Sequence, residues 1–175
     1  MDARKRSEAA AVKNPTSVKR TSDRELVVTR TFDAPARLVF EAWTRPELFQ
    51  RWWVPKSMGM TLVSCAMDVR VGGRYRLEFA NGDGPSMAFF GRYLEVDPPS
   101  RFVWTNDESG DQGAVTTVTL EEQDGKTLLV LHERYPSKEA MDASQGAEEG
   151  LPEQFSQLDE LLATQRGRHP PTDCR

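Results

Sequence analysis

From Arg74 to Phe79 apolar and charged side chains alternate strictly, with Tyr75, Leu77 and Phe79 set against Arg74, Arg76 and Glu78. A period of two sends one set to a core or cavity and the other to water, so the segment predicts a half-buried strand. Asp68-Val-Arg-Val-Gly-Gly73 precedes it and reads as a strand end and turn, because paired glycines permit the positive φ angles of a tight hairpin. The same reading predicts strands over about 24–32, 60–67, 86–96, 101–106, 114–121 and 127–134. Turn residues punctuate them at Asn81-Gly-Asp-Gly84, Asp97-Pro-Pro99, Glu108-Ser-Gly-Asp111 and Asp124-Gly125. Pairings this local predict an antiparallel sheet.

Helical periodicity appears twice. After Asp33-Ala-Pro35, with Asp33 or Ala34 near the cap and Pro35 in the first turn, Leu38, Val39, Ala42 and Trp43 recur as one buried stripe. Thr44-Arg-Pro46 ends that helix and opens a short second one through Arg51. Near the C-terminus, Leu151, Phe155, Leu158 and Leu162 follow helical spacing from a start at Ser137, a good N-cap with acids in the turns after it. A continuous helix over 137–164 would be about 42 Å long. Pro152 removes a hydrogen bond and crowds the preceding turn, which predicts a kink or break at Gly150-Leu-Pro152.

The 175 residues fit one domain, over 21–164, flanked by flexible tails at 1–20 and 165–175. The first 20 residues hold six Lys/Arg against two acids, and the last eleven hold three Arg against one Asp. The body between carries 14 basic and 24 acidic side chains, a poor surface for nucleic-acid phosphates. No apolar run is long enough to span a bilayer, and the charged Met1-Asp-Ala-Arg-Lys-Arg6 is not followed by a signal-peptide core. The two cysteines, Cys65 and Cys174, fall in a strand and in the last two residues, which fits a reduced, cytoplasmic protein better than a disulfide.

Several short motifs stand in order: Phe32-Asp-Ala-Pro35 with Val39-Phe40, Trp43-Thr-Arg-Pro46, Trp52-Trp-Val-Pro55, Asp68-Val-Arg-Val-Gly-Gly73 and Pro98-Pro-Ser-Arg-Phe102. Together, over about 24–164, they resemble the family of proteins similar to the C-terminal domain of the activator of Hsp90 ATPase, within the START/Bet v 1-like superfamily. The resemblance implies an α+β helix-grip fold: a curved antiparallel sheet around a long C-terminal helix, with two short helices after the first strand. Such proteins often have Gly-Trp entering the final helical segment, where this chain has Gly150-Leu151-Pro152.

A sheet curved around a helix can leave a space for a small apolar molecule. The candidate lining residues are Trp53, Tyr75, Phe79, Met87 and Phe89, together with Trp104, His132, Leu151, Phe155 and Leu158. Ordinary core packing is the alternative for each aromatic. His132, the one histidine of the predicted domain, shares a strand face with Leu128 and Val130. Turned inward, it could transfer protons with help from Tyr75, and otherwise it is a hydrogen-bonded structural residue. Asp68 and Arg70, two apart on a strand, are expected to pair as a structural pin. Zinc-spaced His/Cys clusters, a calcium loop, a phosphate loop and a nucleophile elbow are all missing, so neither a metal nor a cofactor is expected.

Three functions compete. The first is a binding protein for an apolar or aromatic small molecule, favoured because no catalytic constellation stands out. The second is an enzyme similar to the superfamily's polyketide cyclases and aromatases, using His132 and Tyr75. The third is a partner of an Hsp90-type chaperone, implied by the family resemblance. A homodimer is also expected, since two-fold dimers are common at this size.

Overall fold

The computed structural model describes residues 15–80, 82–107, 113–143 and 145–168. In chain order the elements are β1 (Ser17–Arg20), β2 (Glu25–Phe32), α1 (Ala36–Thr44), α2 (Pro46–Phe49) and a 3₁₀ turn (Lys56–Met58). Then come β3 (Thr61–Met67), β4 (Arg74–Ala80), β5 (Met87–Asp97), β6 (Arg101–Thr105), β7 (Val115–Gln123), β8 (Lys126–Arg134), α3 (Lys138–Ala143) and α4 (Gln145–Arg168). The eight strands form one antiparallel sheet in the order β1-β2-β8-β7-β6-β5-β4-β3. Each strand from β3 to β8 pairs with the next in sequence, as short hairpin loops require. The long step from β2 to β3 carries α1 and α2.

Two boundaries differ from expectation. Residues 17–20, read as tail, are an edge strand, with Ser17 opposite Thr29 and Arg20 opposite Leu26. Their polar sequence has little intrinsic strand signal. The free edge of β2 supplies backbone partners, Val18 packs against the core, and Arg20 pairs with Asp142 at 3.0 Å. At the other end α4 continues to Arg168, past the predicted limit at 164.

Proline also behaves differently from expectation. Pro35 is the N-cap of α1 rather than a first-turn residue. The Ala36 N–H is satisfied at 2.7 Å by the Glu122 carboxylate reaching over from β7. Pro152 does not break the final helical segment, because α4 runs through it. The described parts of this segment are α3 and α4, on either side of residue 144.

The buried apolar side chains form one cluster between the inner sheet face, α1 and α4. Leu38, Val39, Ala42 and Trp43 are all buried, as are Leu151, Phe155, Leu158 and Leu162. Trp52 is fully buried and its indole N–H donates to the Ala42 carbonyl at 2.9 Å, which meets the polar requirement of that core tryptophan. On β2 the inward set is Leu26, Val28, Arg30 and Phe32. The buried Arg30 guanidinium meets Asp159 of α4 at 2.5 Å and the Thr16 hydroxyl at 3.0 Å, tying the sheet to the helix across the core edge.

The Gly72-Gly73 turn divides its labour. Gly72 has φ +82°, and a side chain at Gly73 would sit 1.9 Å from the Asp68 carbonyl oxygen. One glycine supplies a left-handed backbone and the other a close approach. Asp68 and Arg70 form an exposed ion pair at 2.8 Å beside this turn.

Candidate functional site

A cavity of about 610 Å³ lies between the sheet and α4. Its size falls within the range of small-molecule sites. One wall comes from β4 and β5, through Tyr75, Leu77, Phe79, Met87, Phe89 and Tyr93. A second comes from Phe102 and Trp104 of β6, whose rings stack at 5.5 Å. A third is the loop after α2, with Trp53, Val54, Pro55, Met58 and Met60, and α4 closes the space with Gly150, Leu151 and Gln154.

Trp53 is held from both sides. Its ring stacks on Phe49 at 4.8 Å and meets Trp43 edge-on at 5.8 Å. Its carbonyl accepts a short hydrogen bond from the Gln154 side-chain amide. Next to it, Gln157 donates to the carbonyls of Trp52 and Val54 at 2.9 and 2.8 Å and accepts from the Lys56 N–H at 2.9 Å. Glu153 accepts from the Ser57 N–H and hydroxyl, and these bonds hold its carboxyl below the ordinary value. Three α4 side chains, Glu153, Gln154 and Gln157, thus clamp the tryptophan loop that borders the cavity. Sequence reading missed them, because Glu and Gln on a helix are ordinarily solvent-facing.

One connected set of polar groups reaches the lining. The Tyr75 hydroxyl donates to the Thr105 carbonyl at 2.7 Å and lies 3.3 Å from Asn106 Oδ1. Asn106 Nδ2 donates to the Ala114 carbonyl and to the fully buried Thr116 hydroxyl, each at 3.1 Å. Thr116 in turn donates to Glu133 Oε1 at 3.3 Å, and the Tyr135 hydroxyl donates to Glu133 Oε2 at 2.5 Å. Tyr75, Asn106, Glu133 and Tyr135 all line the cavity. Both hydroxyls face the two oxygens of the Glu133 carboxyl group.

The predicted site residues divide accordingly. Trp53, Tyr75, Phe79, Met87, Phe89, Trp104 and Leu151 border the cavity. Phe155 and Leu158 do not; both are fully buried in the core, where Phe155 meets Phe32 edge-on at 5.7 Å. His132 is on the outer face of β8, more than a third exposed, with Nε2 3.3 Å from Glu25 Oε1. Its inward counterpart is Glu133. Leu128-Leu-Val-Leu131 is apolar on both faces, so alternation within β8 alone could not choose between them. The neighbours carry the missing signal: Leu131 pairs with Val28 on one side and Val118 on the other, both buried residues in cleanly alternating strands. His169 lies outside the described residues.

Two further ionisable groups lie on or beside the β4–β5 wall. Burial, and then Glu47, push the Cys65 thiol up to about 11. Burial, followed by Cys65 and Asp68, raises the Tyr93 phenol above its ordinary value. Both stay protonated at neutral pH. Among the described residues no group of three or more His, Cys, Asp or Glu could hold a metal ion, and no helix is long and apolar enough to cross a membrane.

An antiparallel sheet closed by a C-terminal helix over an aromatic cavity defines a helix-grip protein. The sequence profile of the Activator of Hsp90 ATPase homolog 1-like proteins matches residues 33–163, and the chain belongs to that family. Among curated proteins none matches. Among solved structures, a Rhodobacter sphaeroides protein is 24% identical with a TM-score of 0.77, covering 85% of this chain and 98% of its own. A Mycobacterium smegmatis protein is 28% identical with a TM-score of 0.72, covering 86% and 99%. The AHSA1-like protein from Aeromonas hydrophila is 19% identical with a TM-score of 0.59, covering 77% and 94%.

Proposed function

We propose that this protein binds an apolar or aromatic small molecule in the cavity between its sheet and α4. The observation that carries the reading is the cavity of about 610 Å³, walled mainly by aromatic, aliphatic and methionine side chains with few polar groups among them. Apolar burial drives entry, and the few fixed polar groups orient what enters. Binding without turnover is the reading we favour over cyclase-like chemistry, since the imidazole suggested for proton transfer is on the outer sheet face.

The test is a titration with N-phenyl-1-naphthylamine, a neutral fluorescent probe small enough for this volume. We expect a saturable, one-to-one emission increase that is weakened about tenfold or more by Trp104→Ala, which removes a stacking wall. Non-saturable emission, unchanged by that substitution, would overturn the reading.

A second reading draws on the family match over residues 33–163: contact with an Hsp90-type chaperone. Added protein should then raise the ATPase rate of such a chaperone in a concentration-dependent way. An unchanged rate at saturating protein would remove it.

A further inference from the structure

The outer face of β4 and β5 carries a like-charge pair. Arg74 and Arg92 stand directly opposite each other in the antiparallel register, and both are exposed, while their chain neighbours Tyr75, Gly91 and Tyr93 are buried. Like charges at directly opposed positions repel and weaken a sheet. The arginines around them are neutralised: Arg70 by Asp68 at 2.8 Å, Arg76 by Glu78 at 2.8 Å and Arg101 by Glu95 at 2.7 Å. Among the described residues no ion pair includes Arg74 or Arg92. Asp68 is beside Arg74, since its N–H donates to the Arg74 carbonyl at 2.9 Å, but its carboxylate is engaged by Arg70. Apolar surface borders the pair. Phe90, two residues before Arg92, is opposite Arg76, whose guanidinium lies 5.8 Å from the ring centre. Leu94 follows Arg92 by two residues, and both Phe90 and Leu94 are exposed. Alternate positions of β5 thus present apolar, cationic and apolar side chains to solvent.

We propose that this outer face docks an extended acidic segment of a partner protein, its carboxylates between Arg74 and Arg92 and its apolar side chains against Phe90 and Leu94. The surface is separate from the cavity, so the inference does not depend on the small-molecule reading above. Each guanidinium offers a rigid fork of donors that matches a carboxylate, and a pair of them can share one. The repulsion between the arginines in the free protein is relieved when a carboxylate enters, which adds to the affinity. A long polyanion fits less well. Residues 21–164 carry 24 acidic against 14 basic side chains, so a nucleic-acid strand or an anionic bilayer, reaching beyond this patch, meets the acidic body around it.

The experiment is fluorescence anisotropy at low salt with a rhodamine-labelled octapeptide of Asp, Glu, Leu and Phe, and with a counterpart in which Asn and Gln replace every acid. We expect the acidic peptide to bind at least about tenfold more tightly than the amide one, with the preference shrinking as salt rises. Arg74→Gln and Arg92→Gln together should bring the two peptides within about threefold of each other. Arg92→Glu adds a second readout. It places opposite charges across the two strands, so the urea midpoint should rise while acidic-peptide binding is lost. Equal affinity for the two peptides, a preference unchanged in the double variant, or a lowered midpoint in Arg92→Glu would each overturn the inference. Tighter binding to a single-stranded oligonucleotide or to phosphatidylserine vesicles than to the acidic peptide would assign the face to nucleic acid or membrane, and would overturn it too.

Discussion

The side-chain amide of Gln157 is bonded to the carbonyl of Trp52 at 2.9 Å, across 105 residues of sequence. Gln157 is itself buried, and its other two bonds reach Val54 and Lys56. One side chain from α4 thus satisfies three backbone groups of the loop that carries the cavity-lining Trp53. For these three groups Gln157 takes the place of a strand neighbour.

Replacing Gln157 with Leu should therefore destabilise the fold by about 2–3 kcal/mol, because the Trp52 and Val54 carbonyls and the Lys56 N–H lose their partner. Urea unfolding checks this. A loss below about 0.5 kcal/mol would mean the loop holds its geometry without the clamp.

Arg30 and Asp159 give an asymmetric prediction. Arg30 is buried, whereas a third of the Asp159 side chain is exposed. Asp159→Ala strands a buried cation and should cost about 2–4 kcal/mol, whereas Arg30→Met, which replaces the cation with an apolar chain of similar length, should cost less. Thermal unfolding of the two variants decides it, and the opposite order would show that the guanidinium is hydrated in the native state.

Core and cavity tryptophan and phenylalanine positions should separate cleanly. Phe155→Ala should cost about 3–5 kcal/mol, since its ring is fully buried among Phe32, Trp43 and Trp52. Trp104→Ala opens a wall that already borders empty space and should cost less stability while lowering probe affinity. Chemical denaturation paired with probe titration checks both, and equal stability losses would contradict the division.

The Cys65 thiol, held up to about 11, makes stability fall in alkaline solution. Its ordinary value is 9.0, so the unfolded chain ionises first. The contribution is fully present below about pH 9 and fades as pH rises toward 11. Relative to Cys65→Ala, the native protein should lose its urea-midpoint advantage over that window, and thiol labelling at pH 8 should be far slower than for a free thiol. Rapid labelling of the folded protein would contradict the shift.

Much of this protein is written in its local sequence. The strands from β2 to β8, the buried stripe of α1 and the buried positions of α4 follow from periodicity, because each residue's face is set by its own backbone geometry. Seven of the predicted cavity residues, Trp53 and Trp104 among them, border the space for the same reason. Other features waited for the tertiary structure. β1 exists because β2 offers an unpaired edge, a condition no four-residue polar segment announces. Pro152 sits inside α4, and packing of Leu151, Phe155 and Leu158 against the core outweighs the proline's local cost. The choice between His132 and Glu133 depended on register across three strands, since β8 is apolar on both faces and adjacent side chains must point in opposite directions. Sequence alone determined which residues travel together on a face. Only the assembled sheet and helix decided which face encloses the cavity, because enclosure arises from contacts between segments a hundred residues apart.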